Sequence, residues 1–226
     1  LAFLLNPAVD AKQPADTFVV NRYDTTGVPT FGLNERFYTD TGDGAGRGFS
    51  ITDYMEGPQF LSAFENFGGE GVLGFPVSRP FAGEDGLYYQ ITQRALLQWF
   101  PTERTTRLAN LYQIMEEASL DEILFGQSIP RPLQDGAAGY EQAKSIRLAW
   151  MTEQALKTAF LQNPLVPGDE SISIELYGLP MSRPEQFGPF ITQRFQRIAF
   201  QYWVADVPGG QPVGTVVPVN GGDILK

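Results

Sequence analysis

Gly-Phe-Pro-Val-Ser-Arg-Pro, at residues 74–80, returns as Gly-Leu-Pro-Met-Ser-Arg-Pro at residues 178–184. Five of the seven positions are identical, and the Gly and Pro residues keep their places. Proline fixes φ and removes a backbone donor, so two prolines within five residues exclude a regular helix. The sequence therefore predicts the same irregular turn twice.

A Gln-rich segment that ends in aromatic residues follows each turn. Residues 88–100 alternate so that Tyr89, Leu97 and Trp99 share one face, which is typical of strands, and we expect a hairpin that reverses near Gln93-Arg94. An offset of 100 matches the second segment only over residues 91–94. We favour an offset of 103, which pairs Gln90 with Gln193, Gln93 with Gln196, Arg94 with Arg197, Leu97 with Phe200, Gln98 with Gln201, Trp99 with Tyr202 and Phe100 with Trp203.

Helices are predicted on both sides of these segments. Phe60, Phe64 and Phe67 lie at helical spacing before the first turn, and Gly68-Gly69 should end that helix. A second helix is predicted from the apolar stripe at Leu108, Leu111, Tyr112 and Met115. A third should begin at the capping box Ser119-Leu120-Asp121-Glu122 and end at Gly126. A fourth should be capped by Thr152 and end at Asn163-Pro164.

We predict an α+β protein with two copies of a helix–turn–β-hairpin module, packed with approximate two-fold symmetry. The predicted organisation is a loop-rich N-terminal extension (1–45), a first module copy (46–132), a linker with the second copy (133–206) and a Gly/Pro-rich tail (207–226). Short strands are expected at Thr17–Val20 and Thr215–Val217, and residues 41–48 are expected to form a flexible glycine-rich turn.

The composition excludes several classes of chemistry. The 226 residues contain no Cys and no His, which rules out disulfides, Cys nucleophiles, Ser–His relays and zinc sites built on His or Cys. The net charge of −10 disfavours nucleic acid as a partner. No apolar run approaches the roughly 20 residues that span a bilayer, so we expect no direct membrane span.

The order helix, Gly-Phe-Pro-Xaa-Ser, then a Gln-led hairpin ending in aromatics resembles LGFP-type repeats. It is closer still to a repeat of secreted proteins from Chloroflexi-like bacteria, in which Phe-Pro-Glu-Thr-Gly-His precedes the helix. Residues 37–43 correspond to that stretch, with Tyr in place of the Pro and Asp in place of the His. The resemblance covers residues 36–126 and, more weakly, 150–205. It implies an extracellular or cell-surface module beside cell-wall or surface enzymes, with no catalytic residues to transfer.

Two sets of side chains are candidates for ligand binding. Arg79 and Arg183 offer planar donor forks for carboxylates or sugar hydroxyls; the alternative is that Ser78 and Ser182 close local turns and each Arg pairs with an acid or stacks on a ring. The second set combines amides with aromatic faces, as a sugar platform would: Gln90, Gln193, Trp99, Tyr202 and Trp203. The alternative for this set is core aromatics with glutamines on the solvated face of a half-buried strand.

Carboxylates are the remaining source of catalysis, because glycosidases need only two of them at a defined separation. The acids around the first module are Asp40, Asp43, Asp53, Glu56, Glu65 and Glu70. Nothing in the sequence selects a pair, and no EF-hand pattern favours calcium at Asp40 and Asp43. We therefore expect no enzyme, no cofactor and no metal site.

The leading hypothesis is a non-catalytic, exported cell-surface or cell-envelope module that binds a cell-wall or surface glycan, or another extracellular protein. One alternative is an accessory or structural subunit of a larger extracellular or membrane-attached assembly. The second alternative is a carboxylate-based glycoside or cell-wall hydrolase.

Overall fold

The structure, a computed structural model, describes residues 34–38 and 48–225. Over these residues the protein is mixed α+β, with seven α-helices and three small antiparallel sheets. The chain divides into two compact units, one running up to Ala109 and including the segment from Asn220, the other spanning Asn110–Val219. The strand predicted at residues 17–20 and the glycine-rich turn, except Gly48, lie outside the described residues.

The first unit contains a two-stranded sheet, a four-stranded sheet and two short helices. Its sheets have the strand orders β1-β2 and β3-β4-β5-β6. The elements are β1 (Asn34–Tyr38), β2 (Phe49–Asp53), α1 (Phe60–Asn66), α2 (Gly69–Leu73), β3 (Phe81–Ala82), β4 (Tyr88–Ile91), β5 (Leu96–Phe100) and β6 (Thr105–Leu108), with a 3-10 helix at Gly221–Leu225.

The second unit contains five helices and one four-stranded sheet of order β7-β8-β9-β10. The elements are α3 (Leu111–Glu117), α4 (Asp121–Gly126), α5 (Tyr140–Leu148), α6 (Gln154–Leu161), α7 (Glu170–Tyr177), β7 (Glu185–Phe187), β8 (Phe190–Arg194), β9 (Ala199–Trp203) and β10 (Val216–Pro218). The last strand lies one residue beyond its predicted position. No helix within residues 34–38 and 48–225 has the length and apolarity needed to cross a bilayer.

Helix α1 forms where the phenylalanine spacing predicts it. Phe60 and Phe64 are fully buried, and Phe67 is the C-cap. The Asp53 carboxylate, at the end of β2, accepts hydrogen bonds from the Ser62 backbone N–H at 3.0 and 3.2 Å and from the Ser62 hydroxyl. It thereby satisfies one of the amides that a helix N-terminus leaves unpaired. The predicted end before Gly68-Gly69 is confirmed, although α2 starts again at Gly69.

In the first unit the repeated turn runs antiparallel to the start of the hairpin. The Gln93 side-chain oxygen accepts from the Phe75 N–H at 3.0 Å, and the Gln93 N–H donates to the Phe75 carbonyl at 2.9 Å. The Ser78 hydroxyl accepts from the Ile91 N–H at 2.8 Å. The hairpin itself is β4 paired with β5, as predicted, with its reversal at residues 92–95.

The second unit makes the corresponding hydrogen bonds. The Gln196 side-chain oxygen accepts from the Leu179 N–H at 2.9 Å, and the Gln196 N–H donates to the Leu179 carbonyl at 3.0 Å. The Ser182 hydroxyl accepts from the Arg194 N–H at 3.0 Å. Each residue of the second unit that forms these bonds corresponds to its counterpart in the first unit, 104 positions later in the turn and 103 positions later in the hairpin.

Strand register and helix packing follow the same offsets. The pair Gln90–Leu97 in the first hairpin corresponds to Gln193–Phe200 in the second. Helix α1 contacts β5 and β6, while α6 contacts β9 and β10. The two units therefore share strand order, hairpin register and a helix on the equivalent strands.

The glycine that opens each turn has a backbone conformation reserved for glycine. Gly74 has φ 72° and ψ −178°, and Gly178 has φ 75° and ψ 177°. A Cβ on Gly178 would lie 2.5 Å from the Gln196 Cβ, and one on Gly74 would lie 2.7 Å from the Gln93 Cβ. Each glycine therefore lets the turn approach the glutamine that bonds to it.

Two predicted helix caps are wrong. Ser119 does not cap α4: it has φ +61° and forms the left-handed end of α3, with its N–H donating to the Glu116 carbonyl and the Leu120 N–H donating to Met115. Helix α6 is capped by the Glu153 side chain, which accepts from the Ala155 N–H, in place of Thr152. Backbone bonds decided the first position, and the Glu153 carboxylate decided the second.

Helices α5 and α7 form where the sequence predicted a linker and a loop. Helix α7 is capped by Asp169, whose carboxylate accepts from the Ser171 and Ile172 N–H groups, and it ends at Gly178. The N-cap Asp169 and the C-cap Gly178 are the helix signals in the sequence that our prediction missed. Helix α5 has no fully buried residue, and an Arg147–Asp135 ion pair of 2.5 Å ties it to the preceding segment.

One difference between the two hairpins is a buried arginine. Arg194 occupies the position of Ile91 and is fully buried. Its guanidinium forms a 2.6 Å ion pair with Asp121 and donates to the Tyr112 carbonyl at 2.5 Å. A buried charge is stable only when it is paired and hydrogen-bonded, so Arg194 ties β8 to α3 and α4.

Replacing Gly178 with Ala should destabilise the protein by about 3 kcal/mol or more, since it adds a backbone penalty and an overlap with Gln196. Gly136→Ala is the matched control: φ there is +65°, yet no atom lies within 4 Å of the added Cβ. It should cost only about 1–2 kcal/mol. Urea denaturation measures both, and equal losses would show that the overlap with Gln196 contributes nothing.

Candidate functional site

Gln90 and Gln193 are not on a solvated face; each is fully buried. The Gln90 amide donates to the Ser78 carbonyl at 3.1 Å and the Ser50 carbonyl at 2.7 Å. The Gln193 amide donates to the Ser182 carbonyl at 3.0 Å. The expectation of a solvated or ligand-facing surface is therefore wrong for these two residues, because their amides hold the turn against the hairpin.

Arg79 and Arg183 are exposed beside buried serines. The two hydroxyls do not close local turns: each accepts from a backbone N–H more than ten residues away, at Ile91 and Arg194. The serines are therefore structural, while ligand binding by the two arginines stays a prediction.

The three aromatic candidates occupy different environments. Trp99 is only 3% exposed and belongs to the core of the first unit. Tyr202 and Trp203 are half-buried neighbours on β9 and so point to opposite faces of their sheet. Trp203 packs against Phe190 with ring centroids 5.1 Å apart. The two residues of β9 cannot form one flat platform together, and their binding to a ligand stays a prediction.

A cleft of about 210 Å³ opens in the first unit against one edge of Trp99. Helix α1 forms one wall, and the loop between β5 and β6 forms the other. The lining residues are Gln59, Ser62, Ala63, Asn66, Phe67, Trp99, Arg104, Thr105 and Thr106. The lining therefore combines two aromatic residues with mostly polar side chains.

Most polar groups in this lining already have protein partners. The Thr106 hydroxyl donates to the Gln59 carbonyl at 2.9 Å, and the Gln59 amide donates to the carbonyls of Tyr54 and Gly57. The Ser62 hydroxyl donates to Asp53. The Thr106–Gln59 bond joins the two walls, and the bonds of Gln59 and Ser62 fix the start of α1 without any ligand.

Asn66 and Arg104 differ from the rest of the lining. Both residues are exposed, and neither side chain forms a hydrogen bond or an ion pair within the described part of the chain. Arg104 also has φ +50°, a conformation that non-glycine residues rarely adopt. The cleft thus offers a free amide on one wall and a free guanidinium on the other.

The sequence did not point to either residue. Asn66 resembles any polar residue in the last turn of a helix, and Arg104 resembles any charge in a hairpin loop. Their shared position depends on α1 packing against β5 and β6, which no local pattern encodes.

The candidate carboxylates do not form a pair in this cleft. Asp53 is bound by Ser62, Glu65 forms a 2.6 Å ion pair with Arg36, and Glu70 accepts from the Tyr38 hydroxyl at 3.3 Å. Asp40 and Asp43 lie outside the described residues. Across residues 34–38 and 48–225, no group of three or more acidic side chains is placed to hold a metal ion.

Glu35, on β1, is a buried carboxyl that the sequence did not single out. It is 3% exposed, and its Oε1 atom has no hydrogen-bond partner. Burial raises the pKa of Glu35, and a hydrogen bond with Ser50 only partly opposes this. Folding therefore shifts the protonation equilibrium of Glu35 towards its neutral form, relative to the unfolded chain.

No family model, curated protein or solved structure matches this chain.

Replacing Glu35 with Gln should flatten the dependence of stability on pH. The raised pKa means that Glu35 binds its proton more tightly in the folded state than in the unfolded state. The protonated side chain therefore contributes to the free energy of unfolding, and this contribution is fully present below the pKa of Glu35 in the unfolded chain. It is lost as the pH rises through the folded pKa. Glu35→Gln should therefore gain stability relative to the wild type as the pH rises from 4 to 8, as measured by urea denaturation. Glu84→Gln, at an exposed site, should track the wild type; an E35Q curve parallel to the wild type would contradict the expectation.

Replacing Arg104 with Gly should stabilise the first unit, because a left-handed conformation strains any residue with a Cβ. Removing the backbone strain stabilises the folded state, while the greater flexibility of glycine stabilises the unfolded state. The net gain in the free energy of unfolding should be about 0.5–1 kcal/mol. Thermal unfolding measures the change. Arg107→Gly, in the regular part of β6, should be destabilising; a loss of stability at both positions would show that the Arg104 backbone is unstrained.

Proposed function

We propose that this protein is a non-catalytic, exported module of the cell surface or cell envelope, and that the cleft beside Trp99 binds glycan. The observation that carries the proposal is the cleft itself, whose lining includes Trp99 and the unpaired side chains of Asn66 and Arg104. The resemblance to LGFP-type repeats supports the location.

The chemistry of the lining fits sugar better than other ligands. Amide and hydroxyl groups hydrogen-bond sugar hydroxyls without the desolvation cost of burying several charges. The acidic overall charge of −10 argues against nucleic acid. The absence of carboxylates from the lining supports binding over hydrolysis, since a glycosidase needs two.

We also propose that the two units are copies of one helix–turn–hairpin module. The matching turn bonds, strand order and hairpin register support the duplication. Under this proposal Tyr202 corresponds to Trp99, so β9 would carry the equivalent floor of the second copy.

One observation favours the alternative of an accessory subunit in a larger assembly. The loop between α6 and α7 is pinned by the fully buried Asn163, which accepts from the Leu165 and Val166 N–H groups. The Leu165 and Val166 side chains are nevertheless 40% and 48% exposed. An ordered loop that displays two apolar side chains suits a protein contact.

A polysaccharide pull-down with purified cell-wall and surface glycans tests the proposal. Asn66→Ala should weaken binding by about 2- to 10-fold, which is the loss of one hydrogen bond. Gln127→Ala, an exposed amide outside the cleft, should bind like the wild type. Binding to no polysaccharide would refute the glycan function, and equal binding by the N66A variant would refute the cleft as its site. Stoichiometric co-purification with a protein partner would favour the accessory subunit.

A further inference from the structure

We infer that the glycan bound in this cleft is acidic, and that Arg104 binds its carboxylate. This inference rests on the proposed glycan function and specifies the chemical class of the ligand. It is motivated by one contrast: the whole chain carries a net charge of −10, whereas the cleft lining contains one cation and no acid.

Most other arginines that the structure describes already have partners. Ion pairs engage Arg36, Arg107, Arg131, Arg147 and Arg194. Arg94 and Arg197 donate to the carbonyls near the ends of α2 and α7. Arg104 has no such partner, although it lies in a strongly acidic chain.

The acids around Arg104 are committed to other groups. Glu103, its neighbour in the loop, pairs with Arg107. Asp53, behind the α1 wall, accepts two bonds from the Ser62 N–H and one from its hydroxyl. The Arg104 guanidinium is therefore the uncompensated charge at this opening, and such a field attracts an anionic ligand.

The backbone of Arg104 is a second, independent observation. Its φ of +50° is unfavourable for arginine, and glycine or asparagine would fit the same loop with less strain. A strained residue that lines a cleft is a reasonable candidate for function. Arg104 is also one of the residues that line the cleft.

The ligand follows from these groups. A guanidinium binds a carboxylate through two parallel hydrogen bonds, a geometry that lysine cannot reproduce. Asn66 and the Thr105 hydroxyl are available for the ring hydroxyls, with the edge of Trp99 beneath. The volume of about 210 Å³ is below the roughly 300–1,000 Å³ of drug-sized ligand sites. We expect one acidic sugar ring at a chain end, such as a terminal uronic acid.

Titration calorimetry at low salt, with oligogalacturonate and its carboxyl-reduced, uncharged counterpart, tests this inference. The acidic oligosaccharide should bind at least about 10-fold more tightly, and added salt should reduce the difference. Arg104→Gln should bring acidic binding down to the neutral level, while Arg104→Lys should keep part of the preference. Arg131→Gln, in the second unit and paired with Glu122, should keep it fully.

The outcomes separate this inference from the glycan function. Equal binding of the two oligosaccharides, with both weakened by Asn66→Ala, would overturn the acidic preference and leave the glycan function standing. An acidic preference that survives in the R104Q variant would overturn the role of Arg104. If neither oligosaccharide binds the wild type, both this inference and the glycan function fail for this class of sugar.

Discussion

The fold depends on satisfying backbone amides where an irregular chain is buried under a hairpin. The turn cannot pair as a regular strand, because each of its prolines lacks an N–H. Side chains take over: the Ser78 hydroxyl and the Gln93 amide oxygen accept the N–H groups of Ile91 and Phe75. A buried amide left without an acceptor costs about 1–3 kcal/mol, so Ser and Gln at these positions are requirements of the structure.

The hydrogen bonds between the turn and the hairpin form a frame that is shared by the two units, and this frame accommodates different core side chains. The position of Ile91 in the first unit is taken by Arg194 in the second, and both donate their backbone N–H to the serine of the turn. The isoleucine contributes apolar burial, whereas the arginine requires Asp121 and a carbonyl to offset its charge. The backbone bonds are thus the shared element, and the side chain at that position determines what packs against the sheet.

The proposed binding site lies where the frame leaves polar groups unpaired. The hydrogen bonds around the start of α1 engage Thr106, Gln59 and Asp53. They leave Asn66 and Arg104 unpaired on opposite walls. Gln90 and Gln193, which the sequence also suggested as ligand contacts, are instead buried parts of this frame. A repeated motif therefore marked the scaffold, and the cleft lies beside it.

The sequence by itself determined the repeated turn, helix α1 and both hairpins, because proline, glycine and alternating apolar residues act through local geometry. It also excluded thiol and imidazole chemistry. It failed for α7, where the bracket of Asp169 and Gly178 was overlooked, and at Ser119, where the end of one helix outweighed the start of the next. Only the tertiary structure decided the burial of the glutamines and the meeting of Asn66 with Arg104. Both depend on elements distant in sequence packing together, and local patterns carry no record of such contacts.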